Sequence, residues 1–145
     1  SCLLALMEYL NNEGKYRALY VNVEAAQAAR ENVAEGMRTI ISSLQRMENF
    51  FWGSNLLYDW LDIVKERGPY DALETAITVL CERADKPIVL MFDEIDSLVG
   101  DTLISVLRQI RSGYTLRPTS FPQSIILCGV RDVRDYRIHS SRKRQ

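Results

Sequence analysis

The chain has 145 residues, a size suited to one domain with its own core and too small for two. Hydrophobic residues make up 47% and charged residues 26%, which is ordinary for a globular protein, and the net charge of -1 provides no overall attraction to nucleic acid or anionic membranes. The apolar runs are too short to cross a bilayer, so we expect no membrane contact.

The cysteines and the histidine exclude two classes of site. Three widely spaced cysteines lie in apolar surroundings, which is typical of reduced side chains and indicates a cytoplasmic location. The single histidine, His139, lies in a basic tail, so neither a zinc site nor a histidine-based nucleophile is expected.

The predicted elements alternate along the chain. Helical periodicity is present in five segments: 1–14, 25–47, 56–67, 70–84 and 102–113. Apolar, β-branched runs predict three strands: 18–23, 88–92 and 124–130. The segment 48–55 is predicted to break the helical pattern, and Gly113 is predicted to be a C-cap. Strands separated by helices favour a parallel sheet that is covered on both faces.

The stretch "IVLMFDEID" contains the strongest candidates for a functional site in the chain. Its apolar strand ends in Asp93 and Glu94, and a buried carboxylate is costly unless it meets a cation or hydrogen-bond donors. Ligands of open α/β sheets bind beyond the carboxyl ends of the strands. There, an Asp can hold Mg²⁺ through water, and an adjacent Glu can orient an attacking water. The alternative is structural, with Asp93 or Asp96 as the N-cap of the next helix.

Arg131 comes just after the third predicted strand, beside Asp93 and Glu94 in a parallel sheet. A guanidinium at this place can contact a γ-phosphate through two parallel hydrogen bonds. The alternative is a surface arginine that pairs with Asp132 or Asp135.

The ordered set of motifs resembles the nucleotide-binding domain of AAA+/STAND-type P-loop ATPases of bacteria and archaea. "IVLMFDEID" resembles the Walker B strand of that family, and "SIILCGVRD" resembles its sensor strand. The resemblance covers residues 1–140 and implies a three-layer α/β P-loop NTPase core with a parallel sheet. The charged composition of 141–145 predicts a basic, disordered tail. The resemblance also implies ATP and Mg²⁺ as cofactors, Asp93 as the metal-associated acid, and Glu94 and Arg131 as catalytic residues.

One part of the family pattern is absent from the sequence. No G-x-x-x-x-G-K-[ST] occurs, and Gly14-Lys15 is followed by Tyr16 and a predicted strand. The resemblance places Ser1 at or just after the Ser/Thr of that motif, as a cofactor-binding candidate, and leaves the first strand and the phosphate loop outside the chain. Because the loop supplies most phosphate contacts, we expect these residues alone to bind ATP poorly. We also expect an open apolar edge at 125–130.

Three other features allow a functional interpretation. The aromatic cluster in "NFFWGSNLLYDW" is either a docking surface for an unknown protein partner or an anchor for a loop. Arg108 and Arg111 are either arginine fingers acting in trans or surface charges. The basic tail could contact nucleic acid. The leading prediction is an ATP-hydrolysing domain that drives a conformational switch in the complete protein; the alternatives are a non-enzymatic interaction or regulatory domain and a DNA-associated module.

Overall fold

The three predicted strands pair into one parallel sheet in a computed structural model that describes residues 2–129. The strands, in their order across the sheet, are β1 (Arg17–Asn22), β2 (Ile88–Asp93) and β3 (Ser124–Leu127). β2 therefore lies in the centre. The register places Asn22 of β1 opposite Asp93, and Leu127 of β3 opposite Phe92. The carboxyl ends of all three strands thus meet at one edge of the sheet.

Helices cover both faces of this sheet. They are α1 (Cys2–Glu13), α2 (Val33–Trp52), α3 (Trp60–Arg67), α4 (Ala72–Arg83) and α5 (Gly100–Ser112). Alternate residues of β2 point to opposite faces, so Leu90 and Phe92 join a large core with helices α2 to α5. On the other face Met7 of α1 packs in a smaller core with Met91. The α/β class and the parallel sheet are confirmed, whereas the P-loop NTPase core implied by the resemblance stays a proposal.

The helix predicted over 25–47 is wrong in its first part. Residues Glu24–Ala29 form a 3-10 helix, and the chain then turns at Arg30, which has a positive φ of 50°. The Thr102 hydroxyl donates to the Arg30 carbonyl at 2.7 Å, and the Asn32 side chain accepts from the Glu35 N–H at 3.1 Å to cap α2. Tertiary and capping contacts therefore override the helical preference of the alanine-rich segment.

The predicted break at 48–55 is wrong in its first part, because α2 continues to Trp52; the helix does break at Gly53, which has a φ of 72°. The buried Glu48 carboxylate fixes the following turn by accepting hydrogen bonds from the N–H groups of Leu56, at 2.7 Å, and Leu57, at 3.2 Å. The Trp52 indole donates to the Ala18 carbonyl at 2.8 Å, whereas Phe50 stays exposed. The aromatic cluster is thus partly an anchor.

The end of β3 also differs from the prediction. The strand ends at Leu127, and the Cys128 N–H donates to the Phe92 carbonyl at 2.9 Å, which adds one more hydrogen bond to the parallel ladder. Within the described residues, β3 pairs with β2 on one side only, and Leu127 is 40% exposed. The expected open edge is therefore observed over the part of 125–130 that the structure describes. Gly113 is the residue after α5, with φ -85°, and a Cβ there would collide with the Phe121 ring.

Candidate functional site

The candidate site lies where β2 ends. Asp93 is the last residue of β2, and Glu94 follows with a left-handed backbone, φ 59° and ψ 37°. This uncommon conformation is held by the Ser97 hydroxyl, which donates to the Glu94 carbonyl at 2.7 Å. The next N–H, of Ile95, donates to the Cys128 carbonyl at 3.0 Å. The turn that carries Glu94 is thereby attached to the end of β3.

The structural alternative for the acids, an N-cap, is wrong. The residue before α5 is Val99, and no side chain caps the helix there. The 3-10 turn Ile95–Ser97 likewise has no side-chain cap. The Asp96 carboxylate instead lies against Gly129, where a Cβ would approach its Cγ to 3.2 Å.

Asp93 is positioned by two hydrogen bonds. Its Oδ2 accepts from the Tyr20 hydroxyl at 2.6 Å, and its Oδ1 accepts from the Glu94 N–H at 2.9 Å. Burial, together with the hydrogen bond to Asp93, raises the pKa of Tyr20 to about 12. Tyr20 was not predicted as a site residue, because its contact depends on the β1–β2 register. Its place in β1, two residues before Asn22, is the one signal in the sequence.

Glu94 faces a second carboxylate across the ends of β1 and β2. The neighbouring Glu24 carboxyl is the largest cause of a raised pKa of Glu94, followed by burial, while Asn22 opposes the shift. The Oε2 atom of Glu94 is enclosed and has no hydrogen-bond partner among the described residues. Glu24 itself begins the 3-10 helix, and its N–H donates to the Asn22 side-chain oxygen at 2.8 Å. Negative charge is therefore concentrated at this edge.

Asp93 and Glu94 provide some, but not all, of the ligands that a bound metal ion needs. Within residues 2–129 no group of three or more His, Cys, Asp or Glu is arranged to hold a metal ion. A carboxylate offers about four acceptor positions, so both Asp93 oxygens can still accept from metal-bound water. The enclosed, unpartnered Glu94 oxygen is also a group that a cation would stabilise. The residues thus suit Mg²⁺ that keeps its water and shares a phosphate ligand, rather than a cage of protein ligands.

The other predicted residues are not brought to this site by the described structure. Ser1, Arg131 and the basic tail lie outside the described residues, so their predicted roles stay predictions. Arg108 of α5 donates to the Tyr70 carbonyl at 2.6 Å, and Arg111 is exposed on the same helix.

Comparison with known proteins adds no assignment: no protein-family model, curated protein or solved structure matches this chain. Among the described residues, no helix combines the length and apolar character needed to cross a membrane.

Proposed function

We propose that this domain binds and hydrolyses ATP in the full-length protein and uses the energy to drive a conformational switch. The observation that carries the proposal is the position of Asp93 and Glu94 at the carboxyl end of a central parallel strand, with a neighbouring strand on each side. This is where α/β sheets bind ligands. The sequence resemblance to the Walker B strand supports the same reading.

Asp93 and Glu94 have tasks that their geometry allows, and Arg131 has one that its place in the sequence suggests. Asp93 would bind Mg²⁺ through water, with its carboxylate held in one orientation by Tyr20 and the Glu94 N–H. When bound, Mg²⁺ would neutralise charge on the phosphates. Glu94 would orient the attacking water, and the neighbouring Glu24 carboxyl raises its pKa, which makes it a better proton acceptor than an ordinary glutamate. Arg131, which follows β3 in sequence, would contact the γ-phosphate.

The test is ATP turnover by the full-length protein and its Glu94→Gln variant. We expect turnover to fall about 100-fold or more, because a positioned base contributes roughly that factor, while ATP stays bound. Glu66→Gln, at an exposed position of α3, is the matched control and should leave turnover unchanged. Unchanged turnover in Glu94→Gln would reject the role of Glu94. The 145 residues contain no G-x-x-x-x-G-K-[ST]. Micromolar ATP binding to these residues alone would therefore contradict the proposal that a phosphate loop outside them supplies most of the phosphate contacts.

The second candidate is a non-enzymatic interaction or regulatory domain with an unknown protein partner. It is favoured by the hydrogen bonds that both oxygens of Asp93 already accept, which give this carboxylate a structural role without any ligand. Full-length protein without ATP turnover would select this candidate. A DNA-associated function rests on the basic tail alone, and it requires binding that weakens steeply with salt and is lost without residues 140–145.

A further inference from the structure

A cavity of about 230 Å³ lies between α2, the 3-10 helix Glu24–Ala29 and the start of α3. Its lining residues include two arginines, three residues with hydroxyl groups and one tryptophan: Arg38, Arg46, Thr39, Ser42, Ser43 and Trp60. The α2 members recur at spacings of one, three and four residues, so they share one face of the helix. The remaining lining residue is Ala25. The cavity shares no residue with the acids at the end of β2.

The charge of this cavity is unbalanced. The side chains of Arg38 and Arg46 are exposed on α2, and neither forms an ion pair or a hydrogen bond with any residue in 2–129. By contrast, Arg17 and Arg83 each pair with an aspartate. The cavity lining contains no Asp or Glu. Two arginines beside a polar cavity without a counter-charge favour an anionic ligand.

We propose that this cavity binds a phosphate monoester. Each guanidinium offers N–H donors in a planar fork that matches phosphate oxygens, and the hydroxyl groups between the two arginines add donors. A phosphate dianion balances both positive charges, whereas a single carboxylate balances one. The Trp60 indole supplies a flat apolar surface for a planar group that is esterified to the phosphate.

The experiment is calorimetric titration of the 145-residue chain with inorganic phosphate and phenyl phosphate at constant ionic strength. We expect both to bind and phenyl phosphate to bind more tightly, because it also contacts Trp60. Arg38→Gln and Arg46→Gln should each weaken binding about tenfold, as expected for the loss of charge-assisted hydrogen bonds. Arg67→Gln is the matched control, since Arg67 is exposed on α3 and outside the cavity.

Other results would overturn the proposal. The absence of binding by both probes would exclude the site. An equal loss of affinity in Arg67→Gln would show that the probes are attracted by the positive charge of the surface in general. Acetate that competes as well as phosphate would indicate a carboxylate site instead. Equal affinity for the two probes would show that the phenyl ring of phenyl phosphate does not contact Trp60. Circular dichroism that matches the unmodified chain shows that each variant is folded, so a loss of affinity is read as a loss of contacts.

Discussion

At the scale of single residues, Glu94 is held in an arrangement that does not favour folding. Its backbone is left-handed, its Oε2 is enclosed without a partner among the described residues, and its carboxyl faces that of Glu24. Strain and unpaired polar atoms cluster at functional sites because the surrounding structure maintains them there. Tyr20 and Ser97 provide such support on the two sides of Glu94.

This arrangement predicts that Glu94→Gln stabilises the fold at neutral pH. Because the pKa of Glu94 is raised in the folded state, its contribution to stability is full below the usual pKa of glutamate and is lost as pH rises through the folded value. A glutamine resembles the protonated form and keeps that contribution. Urea unfolding should therefore show a higher free energy of unfolding for Glu94→Gln than for the unmodified chain at pH 7, and this difference should shrink towards pH 4.

The matched control for this effect is Glu66→Gln, at an exposed glutamate of α3 outside the candidate site. It should change the free energy of unfolding by less than about 0.5 kcal/mol at either pH. A loss of stability at pH 7 in Glu94→Gln would contradict the carboxyl pair.

At the scale of elements, α2 and α5 are brought close by a glycine. A Cβ on Gly36 would approach Thr102 Cγ2 to 2.7 Å, and Thr102 is fully buried. The same threonine donates to the Arg30 carbonyl, so the contact between the two helices also fixes the turn that precedes α2. The position of the Glu24 segment therefore depends on helix packing some distance along the chain.

We predict that Gly36→Ala destabilises the fold by about 1–3 kcal/mol, because overpacking exceeds the gain in helix propensity from alanine. Thr102→Ser removes Cγ2 and keeps the hydroxyl, so the double variant Gly36→Ala/Thr102→Ser should regain part of the loss. Denaturant unfolding of the two single variants and the double variant measures this coupling. A neutral or stabilising Gly36→Ala would show that the helices have room to separate.

The same elements show what the sequence can predict. The strand Ile88–Asp93 and its terminal acids were predictable because five buried apolar residues run without interruption into charge. The turn at Arg30 was not, because Thr102, 72 residues away, holds it. The Tyr20–Asp93 hydrogen bond joins residues 73 positions apart and depends on strand register. The local sequence pattern therefore located the candidate acids, whereas their hydrogen-bond partners were revealed only by the pairing of the strands in the structure.

At the scale of the whole molecule, the two faces of the sheet are unequally covered. Helices α2 and α4 contribute many fully buried side chains to the large core, whereas Met7 is the buried residue of α1. α1 is also held by Asn11, whose side chain exchanges two hydrogen bonds with the Ala18 backbone, at 3.0 and 2.7 Å, on the outer edge of β1. Few buried contacts predict a low free energy of local opening.

We therefore predict that α1 opens while the rest of the fold remains intact. In native-state hydrogen exchange, amides of α1 should show a lower free energy of opening than those of α4, with a weaker dependence on denaturant. Ile77→Val in the large core should lower the opening free energy of α4 amides by about 0.5–1.5 kcal/mol and leave α1 amides unchanged, because α4 stays packed when α1 opens. An equal shift in both helices would mean that the two faces unfold as one cooperative unit. Such separate opening would free the face of β1 and β2 that carries Ala18 and Met91 without disturbing the opposite core.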